Sequence, residues 1–177
     1  MIADCLVAEV RIEGDDCPLA VATRAVDVAV DCEPPLLRAD GYTLLRFSAP
    51  ESNRLVRALD ADGRIRYLHR SRAERDTYRC LSLSPCVVHE LVDAGFMMEA
   101  LTYRDGDAYV TGSVVGTEIL RSVLERAGQT VGTRLERLYA LEPGDDRPVA
   151  RRWDLTPAQV AALQQATAMG YFTVPRE

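Results

Sequence analysis

The sequence predicts an α+β protein, and three observations carry that expectation. Several segments alternate apolar and polar residues, as half-buried strands do. The segments between them open on proline or a capping residue and close on glycine, as short helices do. Asp-Gly pairs stand where one element turns into the next.

The elements follow in order. Residues 1–13 place Leu6, Ala8, Val10 and Ile12 on one face and Glu9 and Arg11 on the other, which is a strand. Asp15-Asp16-Cys17-Pro18 opens a helix to about Val26, and Val28, Val30 and Cys32 continue as a second strand of the same parity. Pro34-Pro35 ends that pairing, and Asp40-Gly41 turns into a strand from Tyr42 to Phe47. A helix from Pro50 to Leu59 carries Leu55, Val56 and Leu59 as its buried stripe. Asp62-Gly63 then breaks it before a strand from Arg64 to Arg70. The order is β-α-β-β-α-β.

The second half repeats it. A strand from Thr77 to Leu83 is followed by a helix from Pro85 to Ala94, stopped by Gly95, and a strand from Phe96 to Tyr103. Asp105-Gly106 turns into a strand from Ala108 to Val115. A helix from Thr117 to Ala127 and a strand from Thr130 to Leu141 complete the unit. Each unit has the split β-α-β pattern of a ferredoxin-like fold, an antiparallel sheet covered on one face by two helices. The expected organisation is a first unit over residues 1–71, a second over 72–141, a polar linker over 142–153 and a final helix over 154–177. The two sheets are free to stack or to join edge to edge.

Composition bounds the function. With 177 residues, 47% of them hydrophobic, the chain has material for one ordinary domain or two small ones. No apolar run approaches the ~20 residues of a membrane span, and Met1 to Cys5 lacks the basic flank of a signal peptide, so a cytoplasmic protein away from membranes is expected. All 21 basic residues are arginine, against 27 acids, for a net charge of −6. A lysine-free, acid-rich chain suits a high-salt origin, and its acidity argues against this body being a DNA clamp, because phosphate contacts come from basic faces.

Five cysteines, an odd number without a secretory signal, argue against a disulfide framework. Cys80, Cys86 and His89 lie within ten residues, and positions 86 and 89 share a helical face. A hairpin turning near Glu74 is expected to bring His69 toward Cys80, giving a Cys2His2 set for zinc or another thiophilic metal. Cys17 and Cys86 open the first helix of each half, where a helix N-terminus favours thiolate and hence redox sensing. The third reading is that these cysteines are small core residues. Arg64, Arg66, Arg70, Arg72, Arg75 and Arg79 gather in sixteen residues and read either as an anion or phosphate surface or as a solvated hairpin paired with the surplus acids. Gly112-Ser113-Val114-Val115-Gly116 lacks the lysine of a phosphate loop and reads as a strand end. No nucleophile elbow, paired-carboxylate motif or Ser/His/Asp spacing is present, so no enzyme is expected.

The last segment is the most specific. Thr156 caps, Pro157 suits the first turn, Gln159 completes the capping box, and Gly170 ends the helix. Its wording, L-T-P-A-Q-x-x-A-L-x-x-A-x-x-x-G-Y-F-x-V-P-R-E, resembles the opening helix of the helix-turn-helix in archaeal, chiefly haloarchaeal, regulators of the bacterio-opsin activator type. That resemblance implies the regulatory part of a transcription factor, with two further helices, the second a DNA reader, lying outside these residues. On that reading the body senses a small-molecule or redox effector or dimerises, and a homodimer would suit a palindromic operator. A stand-alone small-ligand module and a cysteine-based metal or redox switch are the alternatives.

Overall fold

Inward-facing alternation on β-strands, clearest in the first, fourth and sixth of the nine among the described residues, with amphipathic helices between them, produces a two-layer α+β body. The computed structural model describes residues 5–85, 87–130 and 132–141, with the side chains of 127–130 left out; the linker and the terminal helix expected over 142–177 lie outside the described residues. The elements are β1 (Cys5–Glu13), α1 (Pro18–Ala25), β2 (Val30–Cys32), β3 (Leu36–Leu37), β4 (Thr43–Ala49), α2 (Asn53–Ala61), β5 (Ile65–Ser71), β6 (Asp76–Ser82), α3 (Val87–Asp93), β7 (Met97–Arg104), β8 (Asp107–Val115), α4 (Thr117–Thr130) and β9 (Gly132–Ala140). Apart from the short β3 after Pro34-Pro35, this is the expected order.

The local reasons are visible in the termini. Pro18 sits in the first turn of α1, where its missing N–H costs nothing, and Asp15 Oδ1 accepts from the Cys17 amide at 3.0 Å just before it. Ser52 caps α2 by accepting from the Leu55 amide at 3.2 Å, so the helix starts at Asn53 rather than at Pro50. Asp105 and Gly106 have φ of 55° and 87°, the signature of a two-residue turn matched to strand twist, and join β7 directly to β8.

All pairings are antiparallel, in the order β5-β6-β4-β2-β7-β8-β1-β9, with β3 on β4. The two halves join edge to edge where β2 pairs with β7, Val30 opposite Tyr103 and Cys32 opposite Leu101. Their first strands are exchanged. β1 lies between β8 and β9, among the strands of the second half, and β6 lies between β4 and β5, among those of the first. α1 follows β1 across. Thr23 Oγ1 accepts from the Gly106 amide at 3.3 Å, and the Arg24 guanidinium donates to the Gly106 carbonyl.

One face of the sheet is apolar. Ala8, Val10 and Ile12 of β1, Val30 and Cys32 of β2, Leu45 and Phe47 of β4, Tyr78 and Cys80 of β6, Leu101 and Tyr103 of β7 and Val110 and Val114 of β8 are buried with Leu19, Leu55, Leu59, Val88, Leu91 and Val123 of the helices. Phe47 stacks on Tyr78 with ring centroids 5.0 Å apart, and truncating either ring to alanine is worth about 3–5 kcal/mol. Gly112 lies inside β8, where a Cβ would stand 2.4 Å from the Met97 carbonyl oxygen and 2.6 Å from the Phe96 ring, so only glycine lets Phe96 close over the sheet. The Gly112–Gly116 stretch is strand and strand exit, as its sequence indicated.

Candidate functional site

The other face of the sheet is open over β4 and β6, and its chemistry there follows from register. In β4, the residues that alternate with the core set are Leu44, Arg46 and Ser48. They stand opposite Leu81, Arg79 and Thr77 of β6. Leu36 of β3 is opposite Leu44, and Asp31 of β2 is opposite Ser48. The face therefore grades from apolar to polar along the strands. One groove, about 590 Å³, is lined by Leu36, Leu44, Leu81, Tyr67, Arg46 and Arg79 among others, and a second hollow of about 250 Å³, lined by Asp31, Glu33, Ser48 and Thr77, shares Arg46 and Arg79 with it.

Tyr67 owes its place to a β-bulge. The β5–β6 register runs from Arg66 opposite Leu81 to His69 opposite Arg79, leaving Tyr67 and Leu68 against a single residue, Cys80. Tyr67 takes a φ of 55°, left-handed backbone that a bulky side chain rarely adopts, and the ring is 85% exposed. A strained, solvent-facing aromatic at the lip of an apolar groove is the most unusual local feature of the described residues.

The arginine cluster is divided by its partners. Arg64 is held by Asp62, with Nη2 to Oδ2 at 2.8 Å and Nε to Oδ1 at 3.0 Å, and donates to the Asp16 carbonyl. The guanidinium hydrogen bond holds the Asp62 carboxyl below its ordinary range against a smaller opposing effect of burial. Arg66 donates to the Gly63 and Ile65 carbonyls. Arg70 is enclosed by Asp76, Glu51 and Asn53, and Arg75 reaches Asp31 at 2.5 Å. Arg72 and Arg79 are exposed and have no hydrogen-bonding or ion-pair partner among the described residues. The six residues thus do not form one surface: Arg64, Arg70 and Arg75 carry structure, Arg72 faces solvent, and Arg79 enters the groove.

The cysteines and histidines are likewise separated. His69 pairs in register with Arg79 and so faces the open side, where its Nε2 lies 3.2 Å from Ser71 Oγ. Cys80, one residue on, points to the helices and is buried. The hairpin does bring the two strands together, but adjacent ladder positions face opposite ways. His69 and Cys80 therefore do not converge. His89 is buried on α3, and Cys86 lies outside the described residues. No group of three or more His, Cys, Asp and Glu side chains is placed to hold a metal ion among the described residues. Burial alone pushes the Cys80 thiol up to about 12. Cys17, at the start of α1, is also buried.

Sequence reasoning missed Tyr67, Arg46 and the leucine shelf. The trace was present: adjacent Tyr67 and Leu68 interrupt the alternation of β5, which is how a bulge reads in sequence, and Leu36-Leu37 after two prolines is too short to bury itself.

Residues 155–177 match the family model described as an HTH DNA binding domain. No curated protein matches the chain. No helix among the described residues is long and apolar enough to cross a membrane.

Proposed function

We propose that this chain is the regulatory part of a DNA-binding transcriptional regulator, in which the α/β body receives a signal and passes it to the helix-turn-helix that begins at Leu155. The match of residues 155–177 to an HTH DNA binding domain carries this reading. Charge supports the division of labour. A chain with net charge −6, whose clustered arginines are largely engaged by its own acids and carbonyls, is poorly suited to gripping phosphates, so DNA contact belongs to the terminal module and the body does something else. The lysine-free, acid-rich composition supports a high-salt cytoplasm as its setting.

In this reading the protein works as a homodimer, since paired helix-turn-helix modules match half-sites about one helical turn apart. Chromatin immunoprecipitation of the gene's own product tests the regulatory role. Enrichment at discrete promoter sites is expected, and a flat genomic profile would sink the reading. Sedimentation of the purified protein tests the second element, with a dimer expected at micromolar concentration. A monomer throughout would remove the palindromic-operator argument.

A further inference from the structure

Across the β4–β6 ladder Arg46 stands directly opposite Arg79, and on the other side of Arg79 stands His69 of β5. Like charges directly opposite destabilise a sheet unless something neutralises them. Arg46 has its acid, Glu33, on the neighbouring β-strand side of the groove. Arg79 has none among the described residues, although the chain carries 27 acids to 21 bases. The acids nearest this face are committed elsewhere: Asp31 accepts from Arg75 and from Thr102 Oγ1 at 3.0 Å, and Glu33 from Arg46. Among the described residues the Arg79 guanidinium is thus left without a counter-charge, at the junction of a polar hollow and a leucine shelf.

The shelf is apolar and exposed. Leu36 is 64% exposed and Leu44 44%, with Leu81 between the strands and the strained Tyr67 at its lip. A groove of about 590 Å³ falls in the range of small-molecule sites, and such sites pair an apolar wall with a few polar groups that fix orientation.

We propose that this groove binds an anionic amphiphile, an acyl or aryl carboxylate, with its head on Arg79 and its body along Leu36, Leu44 and Leu81 beside Tyr67. Among the described residues one unpaired cation lines the groove and calls for one anionic head, and because the described acids of the face are already paired, they leave no complementary site for an ammonium; a simple carboxylate fits better than a zwitterion. The guanidinium offers the paired donors that a carboxylate accepts in a fork, and the hydroxyls of Ser48 and Thr77 line the same polar hollow. Tyr67, at the bulge and in left-handed backbone, lines the lip of the groove with an exposed ring that a bound apolar body would cover. The site stands independently of any DNA-binding role.

Calorimetric titration of the purified chain with decanoate, decanol and acetate tests it. Saturable binding of one decanoate per chain is expected, with decanol and acetate at least tenfold weaker because each lacks one half of the complementarity. Arg79→Gln, a substitution at an exposed position that also relieves the charge opposed to Arg46, should weaken decanoate at least tenfold without lowering the melting temperature. Tyr67→Gly should weaken it too while raising the melting temperature, because glycine accepts the left-handed backbone that tyrosine strains against. Heats that never saturate, decanol binding as well as decanoate, or decanoate affinity unchanged in Arg79→Gln would each overturn the proposal.

Discussion

Arg70 and Asp76 meet across the β5–β6 hairpin, with Arg70 Nε 2.7 Å from Asp76 Oδ2, and the carboxylate they share with Tyr78 is only 2% exposed. The same guanidinium reaches Asn53 Oδ1 at 3.0 Å and Glu51 Oε1 at 3.2 Å, so it ties the hairpin to the start of α2. Burial pushes the Asp76 carboxyl up, but the Arg70 hydrogen bond, the Ala73 amide and the Arg70 charge together outweigh it and hold the group below its ordinary value of 3.8.

A depressed carboxyl stabilises the fold above its unfolded value and loses that contribution as pH falls through the lower folded value. Arg70→Ala leaves the carboxylate buried without its cation, so the melting temperature at pH 7 should drop by more than about 5 °C. Arg70→Lys should fall between the two, keeping charge but not the fork. The acid unfolding midpoint should also move to higher pH in Arg70→Ala. A thermal melt of that variant within a degree of the parent would show the network to be dispensable.

Asp15 is the opposite case. It is 1% exposed, its Oδ1 accepts from the Cys17 amide, and its Oδ2 has no hydrogen-bond partner among the described residues. Burial, reinforced by the neighbouring Asp16 and opposed by the Cys17 amide, raises its carboxyl above 3.8. A raised carboxyl makes the folded state hold its proton more tightly than the unfolded chain. Its contribution is present in full below 3.8 and is lost as pH climbs through the folded value. Asp15→Asn keeps the acceptor for Cys17 and removes the buried charge. That variant should melt higher than the parent at pH 7 and match it near pH 3. Equal melting at both pH values would mean that the carboxylate is solvated in the folded protein.

The thiols give a third expectation. With Cys80 pushed up to about 12 by burial, roughly one molecule in ten thousand carries the thiolate at pH 8. Iodoacetamide at that pH should leave Cys80 unmodified in the native protein and alkylate it promptly in guanidinium, as peptide mass spectrometry would show. Native-state alkylation of Cys80 at the rate of a free thiol would contradict its enclosure and revive a reactive role for it.

Element order was legible because each strand declares its own period and each helix its own ends. The Asp-Gly turn at 105–106 is local chemistry, decided within a few residues, whereas the Ser52 cap went unread and the helix was expected from Pro50. Pairing was not legible. Leu6, Ala8, Val10 and Ile12 alternate identically whether the partner is β8 or β4, and the exchange of β1 and β6 depends on which slot fits the whole side-chain set. The site divided along the same line: the arginine run was conspicuous in sequence, yet only register showed that Arg70 is walled in, that Arg79 lacks an ion-pair partner among the described residues and that His69 faces away from Cys80.

That exchange leads to the last prediction. Cutting the chain between Ser71 and Arg72 separates β1 from the β8 and β9 strands that flank it, and removes β6 from between β4 and β5. Neither fragment then has a complete sheet. Refolding of residues 72–141 on their own would require β6 to take the β1 slot, placing Asp76 and Ser82 where Ala8, Val10 and Ile12 pack and parting Asp76 from Arg70. A buried carboxylate without its partner outweighs the regained strand pairing. Each fragment alone should therefore show no cooperative melt by circular dichroism, and mixing the two should restore one. A cooperative transition in either isolated fragment would mean that the halves are self-sufficient and that the strand exchange contributes little to holding them together.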